Sequence, residues 1–241
     1  MTRAKSCRPK TGRPSKQTAR GGKPRRFLWQ WLIPAGVVLV FVVIFLVMAY
    51  REPPELPVHI NLEQRVVGPP TATVEQARRW AEKRGGTETF CALSDLYWEL
   101  APQYGVNPVV AYAQAGMETR YGNFGGVIDA SYHNPCGLKT AAGGEDADPA
   151  AHQRFATWEE GVRAQLEHLC LYAGVEGYPL ASPLDPRHFP DLLGRAGTVG
   201  EIGRFWASSD HYAELLAELI NRMEVQYVHG QTTVTKSGAV D

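Results

Sequence analysis

Twenty consecutive residues without a charge, Trp31 to Tyr50, set the first boundary on what this chain can become. A helix crossing a bilayer needs about 20 apolar residues, so the run is long enough. Pro34 stands near its start, where a missing backbone N–H is tolerated. The charge around the run is lopsided. Residues 1–26 hold ten Lys or Arg and no acid, whereas residues 51–241 hold 15 bases and all 25 acids. Basic flanks stay on the cytoplasmic side, which puts the N-terminus inside and everything after Arg51 outside. A cleaved signal peptide is the competing reading, since Val47-Met48-Ala49 is a plausible cleavage context. The apolar run, however, exceeds the usual core of ~7–15 residues. The basic lead also fits a nucleic-acid arm, but charge retention beside a span explains it with less, and no nucleic-acid partner is expected.

The expected organisation is therefore a basic cytoplasmic tail (1–26), a transmembrane anchor (27–50), a stalk (51–70), one domain (71–227) and a polar tail (228–241). Pro53, Pro54, Pro57, Pro69 and Pro70 give the stalk its extended character. The protein is expected in the cell membrane, single-pass, with the bacterial membrane as one partner through residues 27–50. Four cysteines add little. Cys7 lies inside, and Cys91, Cys136 and Cys170 lie outside, which allows one disulfide and a spare thiol or three buried thiols.

The domain reads mostly as helices. Thr73-Val74-Glu75-Gln76 has capping-box spacing, and Gly85-Gly86 stops the helix it opens. A second helix places Phe90, Leu93, Leu96, Tyr97, Leu100 and Tyr104 at helical spacing, with Pro102 disturbing its last turn. Asn107 caps a third, Pro108 opens it, and Gly122 ends it. From Gly122 to Phe155 the helical period is lost. Gly137–Thr140 and His152–Phe155 are expected to pair as a hairpin around an acidic loop. Helices resume at the capping box Thr157-Trp158-Glu159-Glu160, then at Thr198, then near Asp210. Helices with one small β-lobe inserted between them make an α+β, predominantly helical fold.

Glu118 is the residue that this pattern does not explain. The third helix is apolar nearly all round, which marks a buried helix. A carboxylate in its last turn faces the negative end of the helix dipole. Partial burial adds to that effect, so both favour the protonated form that a general acid needs. One turn back stand Gln114 and Ala115, then Ala111, a face small enough for a ligand to approach. Gly116, unfavourable inside a helix by ~1 kcal/mol against Ala, marks another close approach. A structural ion pair with Arg120 or a more distant Arg accounts for Glu118 equally well on these grounds.

The segment Ala113-Gln-Ala-Gly-Met-Glu-Thr-Arg-Tyr-Gly122 resembles the helix end of bacterial glucosaminidases, glycoside hydrolase family 73. His133-Asn-Pro-Cys-Gly-Leu-Lys139 resembles that family's Asn-x-x-Gly-Ile-Lys element. Arg154-Phe155 before Trp158-Glu159-Glu160-Gly161, and Trp206-Ala207-Ser208-Ser209-Asp210-His211-Tyr212-Ala213, resemble its next two, in the family order. The resemblance implies a lysozyme-like fold that cleaves β-1,4 links after N-acetylglucosamine in peptidoglycan glycan strands. It matches Glu118 to the family's acid and Tyr212 to its active-site tyrosine. The groove is expected to use Gln114, Tyr121, Phe124, Asn134, Lys139 and Trp206 for substrate. Glycosidases generally use two carboxylates. The candidates here are Asp129, Glu145, Asp146 and Asp148, with Glu145 first for its longer reach from a loop. The substrate's own N-acetyl oxygen is the alternative nucleophile.

Three rivals share the sequence. A lytic transglycosylase would use the same single Glu, but Gly137-Leu138-Lys139-Thr140 stands where that family has Gly-Leu-Met-Gln. A cysteine peptidase would take Cys136 as nucleophile with His133, His152 or His168 as base, in a poor context for a thiolate. A non-catalytic glycan-binding module would keep the aromatics and dispense with turnover. His133, His152 and the loop acids match no metal-ligand spacing, so neither metal nor cofactor is expected.

Overall fold

A computed structural model describes residues 40–46, 58–206, 209–228 and 231–234. The chain forms two units, Met1–Glu52 and Pro53–Asp241. In the first, residues 40–46 are helical and their apolar side chains are exposed. The basic tail and the rest of the expected anchor at 27–50 lie outside the described residues. Among the described residues no helix is long and apolar enough to cross a membrane.

In the second unit the cap chemistry works as the residue types require. Helix α1 (Val74–Lys83) starts with a closed capping box. The Gln76 N–H donates to Thr73 Oγ1 at 3.3 Å, and the Thr73 N–H donates to Gln76 Oε1 at 2.8 Å. Thr87 caps α2 (Glu88–Leu100), accepting from the Phe90 N–H at 3.2 Å. Pro102 then does what a residue without an N–H must. The chain tightens into a 3-10 turn, Ala101–Tyr104, closed by Gly105 at φ 71°. Asn107 Oδ1 accepts from Val109 N at 3.0 Å to start α3 (Pro108–Glu118). Helix α3 ends at Glu118, one turn before the expected stop at Gly122. Helices α4 (Trp158–Ala173), α5 (Val199–Trp206) and α6 (Tyr212–Glu224) complete the helical set.

Helix α3 is the centre of the core. Every residue from Pro108 to Gly116 is buried, and the helix packs against α1, α2, α4 and α6. Tyr112 anchors an aromatic layer, stacked on Phe90 at 4.7 Å and edge-on to Tyr97 at 5.3 Å, with its hydroxyl donating to Phe90 O. Such ring pairs contribute about 0.5–1.5 kcal/mol each beyond area burial. Gly116 meets the close approach expected of it: a Cβ there would sit 2.8 Å from Trp80 Cη2 and 3.1 Å from the Tyr121 ring.

Three expectations change. The hairpin at 137–140 and 152–155 shrinks to one antiparallel bridge, Lys139 with His152. It is flanked by Thr140 N–H to Ala151 O and Gln153 N–H to Leu138 O, both 2.8 Å. The acidic loop between them is held by side-chain bonds and needs no ladder. The described two-stranded sheet instead joins β1 (Val225–Val228) to β2 (Gln231–Val234), where the domain was expected to give way to a polar tail. Finally, the stalk is domain from residue 58 onward. Val66 is fully buried, and its N–H and C=O bond Gly197 O and Asn107 N–H. Arg65 bridges Thr198 and Val67 bridges Val106. The prolines concealed an apolar pair, Leu62 and Val66, that the core takes up. Cys91, Cys136 and Cys170 are all free and buried.

The lobe is keyed to α4 at one point. A Cβ on Gly161 would lie 1.9 Å from the His133 carbonyl oxygen, so backbone must move to admit it. Gly161→Ala is expected to cost about 3 kcal/mol, the upper end of overpacking penalties, as read from urea unfolding. An unchanged midpoint would show that the contact yields freely.

Candidate active site

The chain turns sharply after α3. Arg120, Tyr121 and Phe124 adopt left-handed backbone, φ 51°, 59° and 56°, without being glycine. Each such residue costs about 1–3 kcal/mol and persists only where its surroundings enforce it. Here the Tyr121 N–H donates to Gly116 O at 2.8 Å, the Phe124 N–H to Thr119 O, and the Thr87 N–H to Tyr121 O. Thr119 Oγ1 donates to Ala115 O at 2.7 Å and accepts from the Gly122 N–H at 2.9 Å. Such a turn leaves the last side chain of a buried helix, Glu118, open to solvent.

Glu118 is accessible to solvent and yet heavily surrounded by protein. Desolvation raises its pKa, opposed by hydrogen bonds from Tyr212 and Trp206 that favour the ionised form. Among the described residues no other charge acts on it. Among the described residues no Arg pairs with it, which removes the ion-pair account.

Tyr212, the first residue of α6, is 7% exposed, and its hydroxyl donates to Glu118 Oε1 at 2.6 Å. The Tyr212 hydroxyl oxygen in turn accepts from Gln114 Nε2 at 3.2 Å. Gln114 is fully buried, so it supports Tyr212 and does not face a substrate. Its Oε1 accepts from Gln165 Nε2 at 2.9 Å, and Gln165 Oε1 accepts from the Tyr97 hydroxyl. Trp206 is half-buried beside the site, edge-on to His168 at 5.2 Å. His168 is itself held at 2.8 Å by Asp185 Oδ2, which also takes His188 at 3.2 Å. Sequence reasoning missed Gln165 and Asp185, placed Tyr97 only as a core position, and named His168 only as a peptidase base. The available signal was a polar side chain on the apolar face of a helix, as Gln165 and His168 are on α4.

The remaining expected residues fall elsewhere. Tyr121 packs edge-on to Trp80 at 5.2 Å and covers Gly116, a core role. Phe124 lines a small apolar cavity of about 120 Å³ with Phe90, Leu93 and Trp158. Asn134 is fully buried: its amide donates to Leu138 O and Gln153 O and accepts from the Leu138 N–H, so it shapes the lobe from within. Lys139 pairs with Asp146 at 2.6 Å and donates to Gly144 O, bracing the acidic loop. Glu145 lies between those two contacts with its side chain exposed. Asp129 and Asp148 cap the short turns that follow them. A depression of about 590 Å³ beside Leu62 and α5 includes neither Glu118 nor Tyr212. Among the described residues no group of three His, Cys, Asp or Glu is placed to hold a metal. Burial drives the Cys136 thiol pKa well above its usual range, with Glu118 and Asp185 adding to it. A nucleophilic cysteine needs the opposite shift, so the peptidase reading loses its nucleophile.

The raised Glu118 pKa has a consequence for stability. In the window above the ordinary carboxyl value the native state holds a proton that the unfolded chain has released, so stability falls as pH rises through it. Glu118→Gln should therefore match wild type in thermal midpoint near pH 3.5 and exceed it near pH 7. A midpoint lower than wild type at pH 7 would mean that the carboxylate stabilises the fold.

The family model described as "Glucosaminidase: Mannosyl-glycoprotein endo-beta-N-acetylglucosaminidase" matches residues 94–225. A protein of Borreliella burgdorferi, described as "Uncharacterized protein", is 28% identical over 116 residues. That match covers 48% of this chain and 54% of the relative, so the chain spans about half the relative's length. No solved structure matches.

Proposed function

We propose that this chain, which belongs to the glucosaminidase family and is a glycoside hydrolase, cuts the glycan strands of peptidoglycan after N-acetylglucosamine, with Glu118 as its general acid. A lysozyme-like arrangement of helices around a small lobe is part of the same proposal. The observation that carries it is the Glu118 environment: reachable from solvent, with a pKa raised by desolvation, and hydrogen-bonded by Tyr212 at 2.6 Å. Those are the properties of an acid that must be protonated before the reaction and tolerate ionisation during it.

The glycosidic oxygen takes the Glu118 proton as its bond to the sugar C1 breaks. Tyr212 and Trp206 donate to the carboxylate that results. Among the described residues no second carboxylate acts on Glu118. That favours the substrate's acetamido oxygen as the group that closes on C1, a route some glycosidases use. The Glu118 carboxylate then takes a proton from water, the water oxygen bonds to C1 as the bond between the acetamido oxygen and C1 breaks, and the acid is restored. Glu145, on its braced loop, is the competing proposal for a protein base.

The full-length protein, in detergent, should release fragments with reducible N-acetylglucosamine ends from peptidoglycan, identified by mass spectrometry. Glu118→Gln should lower the rate about 10²–10⁴-fold, the span of general acid catalysis. Glu145→Gln should stay within a few-fold of wild type, and a 10²-fold loss would return the base to Glu145. Anhydro-muramyl ends would make the protein a transglycosylase, and retained activity in Glu118→Gln would remove Glu118 from the chemistry.

Anchoring through residues 27–50, N-terminus inside, is also proposed. It is supported by the uncharged run and the ten basic residues before it. Alkaline carbonate washing should leave the full-length chain with membranes. Its appearance in the supernatant would favour a cleaved or peripheral chain.

A further inference from the structure

The hydrogen bonds behind Glu118 all run in one direction, and a single backbone carbonyl decides it. Gln165 Nε2 lies 3.0 Å from Ala111 O and 2.9 Å from Gln114 Oε1. A backbone carbonyl only accepts, so the Gln165 amide must present nitrogen to it and oxygen to Tyr97. Its second N–H then goes to Gln114, whose oxygen must face α4 and whose nitrogen must face Tyr212. The Tyr212 oxygen, already accepting from Gln114, has its one proton left for Glu118 Oε1. Tyr97, Gln114 and Gln165 are all fully buried, so water does not scramble this order.

We propose that Gln165 is a positioning residue of the glycosidase: it commits the Tyr212 proton to Glu118 Oε1 and so keeps the acid's own proton on the other carboxyl oxygen, free for the glycosidic bond. The inference rests on Glu118 being the acid. Without Gln165 the Gln114 amide is free to turn its oxygen to Tyr212 and take that proton. Tyr212 then accepts from Glu118 and holds the catalytic proton in the wrong place. The neutral acid gains a partner while its anion loses a donor, so the acid becomes weaker. The other titratable group facing this pair is Cys136 from the lobe, with Asp185 beyond it. Cys136 is a buried neutral thiol, so it does not supply the shift.

The test is a double-mutant cycle on the full-length protein in detergent, with peptidoglycan fragments as substrate. Gln165→Met keeps the length of the side chain and removes its hydrogen bonds. It should lower kcat about tenfold with KM unchanged, and move the basic limb of the pH profile up by about one unit. In a Tyr212→Phe background the same substitution should have no further effect, because no hydroxyl remains to direct. Losses that add in the double variant, or an unmoved limb, would overturn the proposal and leave Gln165 a packing residue. Should Gln165→Met not fold, wild type still decides it by NMR. The Gln165 amide protons should show contacts to Ala111 and Gln114, and contacts to the Tyr97 ring instead would overturn the order. Glu118→Gln run alongside separates the two ideas, since activity in that variant sinks the acid and not the hydrogen-bond order.

Discussion

A carboxyl group at the end of a helix with no polar face is the constraint from which the rest of the domain follows. Helix α3 is buried from Pro108 to Gly116, so Glu118 leaves the core only in its last turn and is desolvated by what surrounds it. Burial without a counter-charge favours the protonated form. Two neutral donors, Tyr212 and Trp206, limit that effect without abolishing it, because neutral donors stabilise an anion less than a cation does. An arginine in their place would have made a stable ion pair and a poor acid.

That arrangement imposes its own demands. Two tyrosine hydroxyls and two glutamine amides inside an apolar core must each find partners, since an unsatisfied buried polar group costs about 1–3 kcal/mol. They satisfy one another in a line from Tyr97 on α2 through Gln165 on α4 to Gln114 on α3 and Tyr212 on α6. One polar thread therefore crosses four helices, and their relative placement becomes part of the site. The left-handed backbone at Arg120, Tyr121 and Phe124 serves the same end, turning the chain aside so that Glu118 stays reachable. Gly116 and Gly161 hold the geometry from behind by letting two rings and a carbonyl come closer than any Cβ permits.

Much of this was legible in the residues. Caps at Thr73, Asn107 and Thr157 act within four residues of themselves, so their outcome is local and reads directly from the chain. The buried character of α3 reads from its lack of a polar face, and Gly116 from its cost in a helix. The long-range pieces did not read. Asn134 and Lys139 carry polar groups that suit a ligand as well as a neighbouring loop, and only the fold shows that Leu138, Gln153, Gly144 and Asp146 claim them. Gln114 was taken for a groove residue for the same reason. Residues 51–70 read as a stalk because their five prolines outweigh scattered apolar side chains such as Leu62 and Val66 until a core exists to accept them.

The sequence by itself determined where helices start and stop, that one of them is buried on all sides, and that it ends in a carboxyl group. Those properties depend on contacts within a turn or two along the chain. Only the tertiary structure decided what that carboxyl group meets. Tyr212 lies 94 residues away and Gln165 stands 51 residues from Gln114, and no local preference encodes such a meeting. It arises because four helices bury their apolar faces together, and the few polar groups carried in with them are left to satisfy one another.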